Sequence, residues 1–334
     1  MKSYKLCVVI CTLLLIGSIL AGLMIGTYRV GLGDILKMFT GEMAKMVRIV
    51  IFNLRLPRIC LAVIVGIALS ASGCILQTIT KNELAEPGII GINAGAALAV
   101  TIVITLSTGY YYENIDLGTL YLVPVAAMFG AVFTTALIYL LSYRRGGVSP
   151  VRLLLVGIGI NSAVNALITL YQLNMSKGDY NQVLTWISGS LWGTGWEYVW
   201  ISGPVVAVLF GVVFYKAKTL DVIGLGDVVA LSLGVRVEKE RRLFLLLAVA
   251  LAGAATAVAG NIAFLGILGP QLAARMTGAS HRRKLPIGAM VSSIIIVLAD
   301  TASRNLFTPL EIPVGITISI IGVPYFIYLM ARSK

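Results

Sequence analysis

The chain has 334 residues, 58% of them apolar before its 35 glycines are counted, and only 12% are charged. With glycine the apolar share is roughly 68%, against about 45–50% for a soluble domain, which excludes a cytosolic enzyme, a disordered chain and a disulfide-built secreted domain. The net charge of +12 fits the inner loops of a polytopic membrane protein, where Lys and Arg collect against anionic lipid.

Lys2 and Lys5 precede an apolar run from Leu6 to Tyr28. It is long enough to span a bilayer and longer than the apolar part of a signal peptide, so a retained first span is expected. Further runs of spanning length lie at roughly 59–80, 89–108, 119–142, 151–173, 198–215, 243–260, 262–278, 286–303 and 312–331. About ten transmembrane helices follow, because lipid leaves no backbone group to water. The expected fold class is an all-α polytopic membrane protein, a single transmembrane domain over 1–334.

With both termini in the cytoplasm, 18 of the 26 Lys and Arg fall on inner segments and 8 on outer ones, in line with the positive-inside rule. The outer segment 29–58 breaks the trend, since it holds six of those eight. Cys7, Cys11, Cys60 and Cys74 all sit in apolar runs, and His281 is the only histidine. Two thiols one turn apart do not make a zinc site, so no metal is expected. No basic stretch carries interleaved aromatics, and no nucleic-acid partner is expected.

No nucleotide-binding GxxxxGK[ST], G-x-S-x-G elbow or H-E-x-x-H occurs, and no catalytic residue is assigned. Carboxylates and lysines are scarce within the runs except near their ends, as at Asp300. Ion-driven carriers usually need such groups inside the membrane, so the driving energy is expected from elsewhere. The segment 216–242 is too polar to span, yet Leu220, Ile223, Val228, Leu231 and Val235 recur at spacings of three to five between Gly224, Gly226 and Gly234. That pattern suits either short helices offering an apolar ridge to a partner groove or a helix lying on the inner leaflet.

RLPR at 55–58, LQTITKNELAEPGIIGINAGAALAV at 76–100, RLLLVGIGIN at 152–161 and WISGSLWG at 186–193 together resemble the FecCD/vitamin B12-type ABC importer permeases. The likeness continues through LGDVVALSLGV at 225–235, AGNIAFLGILGPQLAARMTG at 259–278, LADTASR at 298–304 and EIPVGITISIIGVPYFIYLM at 311–330. Two departures stand out. The family usually has Asn-Pro-Leu where this chain has Asn82-Glu83-Leu84, and Pro-His where it has Pro270-Gln271.

The resemblance implies a type II ABC importer permease in a bacterial cytoplasmic membrane, and no enzyme activity of its own. Its partners would be a second permease subunit, identical or a close relative, two ABC ATPase subunits that bind the ATP, and an extracytoplasmic substrate-binding protein. Among its cargoes, iron(III)–siderophore complexes come first, with haem and cobalamin as alternatives. By the same resemblance Arg55, Arg58 and Arg304 would face the binding protein. Gly226, Asp227, Leu231, Leu233 and Gly234 would couple to the ATPase, and Asn82, Leu84, Pro150 and Val151 would close the cytoplasmic mouth. Glu311 is expected to cap the start of the last span. A bulky ligand is expected to pass a smooth, weakly binding wall.

Overall fold

The computed structural model describes residues 2–40, 44–88, 90–106, 117–144, 147–148, 150–306 and 310–332. The fold is helical apart from one hairpin, in which Tyr143–Arg144 (β1) pairs antiparallel with Gly147–Val148 (β2). In chain order the helices are α1 (Lys2–Met24), α2 (Leu32–Thr40), α3 (Lys45–Ile49), a π-helical turn (Val50–Arg55) that runs into α4 (Leu56–Thr80), α5 (Ile92–Leu106) and α6 (Leu117–Ser142). Then follow α7 (Pro150–Leu173), α8 (Lys177–Ile187), α9 (Trp196–Tyr215), α10 (Ala217–Gly224), α11 (Asp227–Ser232), α12 (Val237–Ala259), α13 (Leu265–Thr277), α14 (His281–Asn305) and α15 (Val314–Arg332).

Seven helices among the described residues are long and apolar enough to cross a membrane: Tyr4–Met24, Lys45–Thr80, Leu122–Ser142, Val151–Leu173, Trp196–Tyr215, Val237–Ala259 and His281–Asn305. The expected count of about ten is therefore not met by length. The runs at 89–108, 262–278 and 312–331 do form helices, but shorter ones. The 13 residues of α13 extend only about 20 Å at 1.5 Å per residue, against a hydrocarbon core of about 30 Å. Its start is set by a break in the chain: Gly260 (φ 68°) and Phe264 (φ 64°) both take left-handed backbone.

The core is built around α4, which is buried along nearly its whole length and packs against α14, α12, α13 and α9. Small residues make that packing possible, as in other bundles where helix backbones touch. A Cβ at Gly73 on α4 would collide with the Gly266 carbonyl on α13, and one at Gly95 on α5 with Thr134 and the Gly130 carbonyl on α6. In contrast α1, α7, α9 and α15 carry many exposed large apolar residues, among them Leu13, Leu155, Val208 and Ile320. Those faces suit lipid rather than water.

Helices α4 and α14 run antiparallel, and polar contacts tie them at both ends. Arg58 meets Asp300 at one end, and Thr78 meets His281 at the other. The rest of the site is arranged around these two ends.

Candidate functional site

At the first end the three sequence-predicted arginines come together, but they face inward. Asp300 is 1% exposed. One of its oxygens takes Arg58 Nε and Nη2, each at 2.8 Å, and the other takes Arg304 Nε at 3.1 Å. Arg58 Nη1 reaches Glu311 Oε2 at 2.9 Å. Arg55 donates to the carbonyls of Leu23 and Tyr28. It thereby satisfies a carbonyl in the last turn of α1 and another in the segment that follows it. Gly26 makes room for it, since a Cβ there would collide with the guanidinium. This internal use explains the basic residues of 55–58 without a loop on the outer surface. Glu311, three residues before α15, is held by its pair with Arg58.

At the second end the segment 216–242 forms two short helices and the start of α12. Leu220 and Ile223 on α10 are fully buried because α10 packs back on α4. They are not part of an exposed ridge, contrary to the spacing argument. The exposed apolar residues are instead Leu225, Val228, Leu231 and Leu233 on and beside α11. Gly226 (φ 114°) and Gly234 (φ 79°) bracket that helix in backbone that side chains rarely adopt. Gly234 N bonds Leu231 O at 2.9 Å and Val235 N bonds Ala230 O at 3.0 Å, a glycine-terminated end of the Schellman type.

Ion pairs fix α11 from behind. Asp227 accepts from Arg241 Nη2 at 2.9 Å on both oxygens and lies 3.3 Å from Lys81 Nζ. Burial alone would raise the Asp227 carboxyl, but hydrogen bonds and charge from Arg241, then Lys81, hold it below the ordinary value. Lys216 pairs with Glu240 at 2.6 Å.

Sequence reasoning missed the group beside it. His281 Nδ1 and its backbone N both lie 2.7 Å from Asp221 Oδ1 on α10, while Nε2 lies 2.7 Å from Thr78 Oγ1 on α4. The lone histidine thus joins α10, α4 and α14. The available signal was an unpaired Asp221 between apolar residues.

In the turn after α4, Lys81 is left-handed (φ 53°) and Leu84 N bonds Asn82 Oδ1 at 2.9 Å. Val151 is exposed near the start of α7; the side chain of Pro150 lies outside the described residues. No hydrogen bond or ion pair joins 82–84 to Val151 among the described residues. The two departures from the family pattern, by contrast, touch: Gln271 Nε2 donates to the Glu83 carbonyl at 3.1 Å.

A polar cavity of ≈ 370 Å³ opens between the 86–94 segment, α7 and the 260–264 break. Glu86, Asn93, Asn161, Asn165, Gln172 and Asn261 are among its lining. The amides escape a count of charged residues, and Glu86 lies between two apolar runs.

A helical bundle with exposed apolar belts, an apolar knob pinned by ion pairs at one end and a polar cavity between the spans defines a membrane transport subunit. The FecCD transport family model matches residues 13–332, and the chain belongs to that family. It is 44% identical over 322 residues to the iron(3+)-hydroxamate import system permease protein FhuG of Bacillus subtilis, covering 96% of this chain and 95% of that protein. Against the hemin transport system permease protein HmuU of Yersinia pestis it is 37% identical over 282 residues, 84% of this chain and 83% of that protein. A solved inward-facing putative metal-chelate type ABC transporter superposes with a TM-score of 0.85 at 27% identity, covering 98% of this chain and 99% of that one. The chain is a permease subunit of the ABC importer type rather than an enzyme, and ATP hydrolysis falls to a separate ATPase.

Proposed function

We propose that this permease imports iron(III)–siderophore complexes across a bacterial cytoplasmic membrane, powered by ABC ATPases and supplied by an extracytoplasmic binding protein. The observation that carries the ATP-driven reading is the apolar knob of α11, exposed on one side and clamped by Arg241 and Lys81 on the other. Hydrophobic anchors on a rigid helix are what a groove on a partner grips. Gly226, Asp227, Leu231, Leu233 and Gly234 are its centre. The cargo is supported by the relative named for iron(3+)-hydroxamate import and by the metal-chelate type structure. Haem is the second reading, supported by the Yersinia pestis relative.

In this reading the chain crosses ten times with both termini in the cytoplasm, the short helices α5, α13 and α15 crossing with the help of their neighbours. A second permease subunit, a copy or a relative, completes the pathway against the exposed faces. Asn82, Leu84, Pro150 and Val151 close the inner mouth. Arg55, Arg58 and Arg304 serve docking from beneath the outer rim. Because their partners are already internal, Arg58 would exchange Glu311, which is 36% exposed, for a carboxylate of the binding protein.

The test is growth of a deletion strain on single iron sources, complemented with the wild-type chain. Growth on ferric hydroxamates that stops when the partner ATPase is inactivated is the expected result. Equal growth without ATP hydrolysis, or uptake by the permease alone in liposomes under an ion gradient, overturns it.

A further inference from the structure

The ≈ 370 Å³ cavity has an unusual wall for a membrane bundle. Its α7 side is a polar stripe, with Asn161, Asn165 and Gln172 at helical spacing. Its opposite side is a chain of amides already tied to one another: Thr256 Oγ1 donates to Asn93 Oδ1 at 3.2 Å, and Asn93 Nδ2 donates to Asn261 Oδ1 at 2.6 Å. Glu86 closes one end. One of its oxygens accepts from Phe264 N at 2.8 Å, on the left-handed residue that starts α13, and the other has no hydrogen-bond partner among the described residues.

Charge in this space is one-sided. Among the described residues Glu86 is the only titratable one of the lining, and neither Lys nor Arg belongs to it. A bare metal ion is a poor occupant, because Asn93 and Asn261 have already committed their carbonyl oxygens and no group of three His, Cys, Asp or Glu forms a metal site among the described residues. The amides suit a larger ligand whose surface is itself built of oxygen and amide groups, with which they trade hydrogen bonds without a fixed orientation. The volume sits at the low end for ligand sites of about 300–1,000 Å³, enough for one face of such a ligand.

We infer that this cavity is a station on the translocation path for metal chelates that carry no net negative charge, and that Glu86 sets this charge preference. The inference rests on the importer reading above and deepens it. A ferric trihydroxamate core, with three singly charged ligands on Fe(III), is neutral and passes. A ferric tris-catecholate core carries three negative charges, and its passage would bring them against a carboxylate in a medium where water screens them poorly. The permease then filters by charge after the binding protein has selected by shape.

Burial pushes the Glu86 carboxyl up to about 7, against the opposing Phe264 N–H. Above that pH the group is ionised and the filter acts; below it the group is protonated and the filter relaxes.

The test uses the intact complex with its ATPase and binding protein in liposomes. Maximal uptake of ⁵⁵Fe is measured with synthetic ferric trihydroxamates of net charge −1, 0 and +1. At pH 8 the +1 chelate should outrun the −1 chelate by about three- to tenfold; Glu86→Gln should abolish that ratio, and pH 6 should narrow it in the wild type. Asn165→Asp, at an exposed position on α7, should widen it and keeps the test valid should Glu86→Gln misassemble. The binding protein is common to all variants, so its own preference cancels in the comparison. A ratio unmoved by both substitutions overturns the inference while leaving the importer reading intact. Failure of every chelate to enter, with haem transported instead, overturns the importer reading for siderophores and this inference with it.

Discussion

Gln271 and Glu83, 188 positions apart in sequence, meet through a 3.1 Å hydrogen bond from the Gln271 side chain to the Glu83 backbone carbonyl. Both positions depart from the pattern usual in the family, and the structure makes them one feature. With Gln271 only 7% exposed, the bond ties the turn after α4 to α13.

Gln271→Leu should therefore loosen residues 82–86 at a cost of about 1 kcal/mol, the usual net worth of one such bond. Hydrogen exchange of the purified permease would show faster exchange at 82–86 and unchanged exchange at 225–235. Identical exchange at 82–86 would mean that the bond does not hold the turn.

The Arg58–Asp300–Arg304 group predicts an asymmetry between its carboxylates. Asp300→Asn leaves two guanidinium groups buried with only Glu311 nearby. Breaking a buried pair from one side costs about 3–5 kcal/mol. Glu311 is 36% exposed on its side chain, so Glu311→Gln should cost about 1 kcal/mol or less. Thermal unfolding in detergent should place Asp300→Asn roughly 5–10 degrees below Glu311→Gln or leave it unfolded. Equal stabilities would show that Asp300 is not the anchor of the group.

Legibility in the sequence followed the range of the interaction. Helices α1, α4, α6, α7, α9, α12 and α14 could be read from apolar length alone, since a span is a local property. Helix α13 could not be read as short, because its start depends on left-handed backbone at Gly260 and Phe264. The ridge was half read. Spacing marks Leu220 and Leu231 alike, but α10 folds back on α4 and buries Leu220 while α11 leaves Leu231 exposed. The fold brings Arg55, Arg58 and Arg304 together, yet their partners Asp300 and Leu23 are contacts across the fold that no local pattern encodes.

At α11 two substitutions should act differently. Leu231→Asp with Leu233→Asp puts charge on an exposed apolar knob without disturbing the fold, so the ATPase should no longer co-purify while the permease stays in the membrane. Asp227→Asn should weaken the clamp instead. Its lowered carboxyl pKa means that the clamp contributes stability above the ordinary value of 3.8 and loses it as pH falls through the lower folded value. Protection of 225–235, relative to the intrinsic exchange rate at each pH, should thus be constant from pH 8 to 5 and fall only below about 4, whereas in Asp227→Asn it should be lowered throughout. A loss of protection already near pH 6 in the wild type would assign the clamp to another group.

His281 supplies the remaining prediction because it is the one side chain that bonds α10 and α4 while sitting at the first residue of α14. Asp221 and this ring give a pull on the α10–α11 unit one direct route into α4 and α14. His281→Ala removes both ring bonds but leaves the knob of α11 and its Arg241 clamp untouched. The ATPase should still co-purify, and ATP hydrolysis in the complex should persist, while uptake per ATP falls at least severalfold. Asp221→Asn keeps a side chain of the same size and should give a milder form of the same split. Uptake and hydrolysis falling in step would instead show that the joint serves only to hold the fold, and that force reaches the spans by way of the Asp227–Arg241 pair.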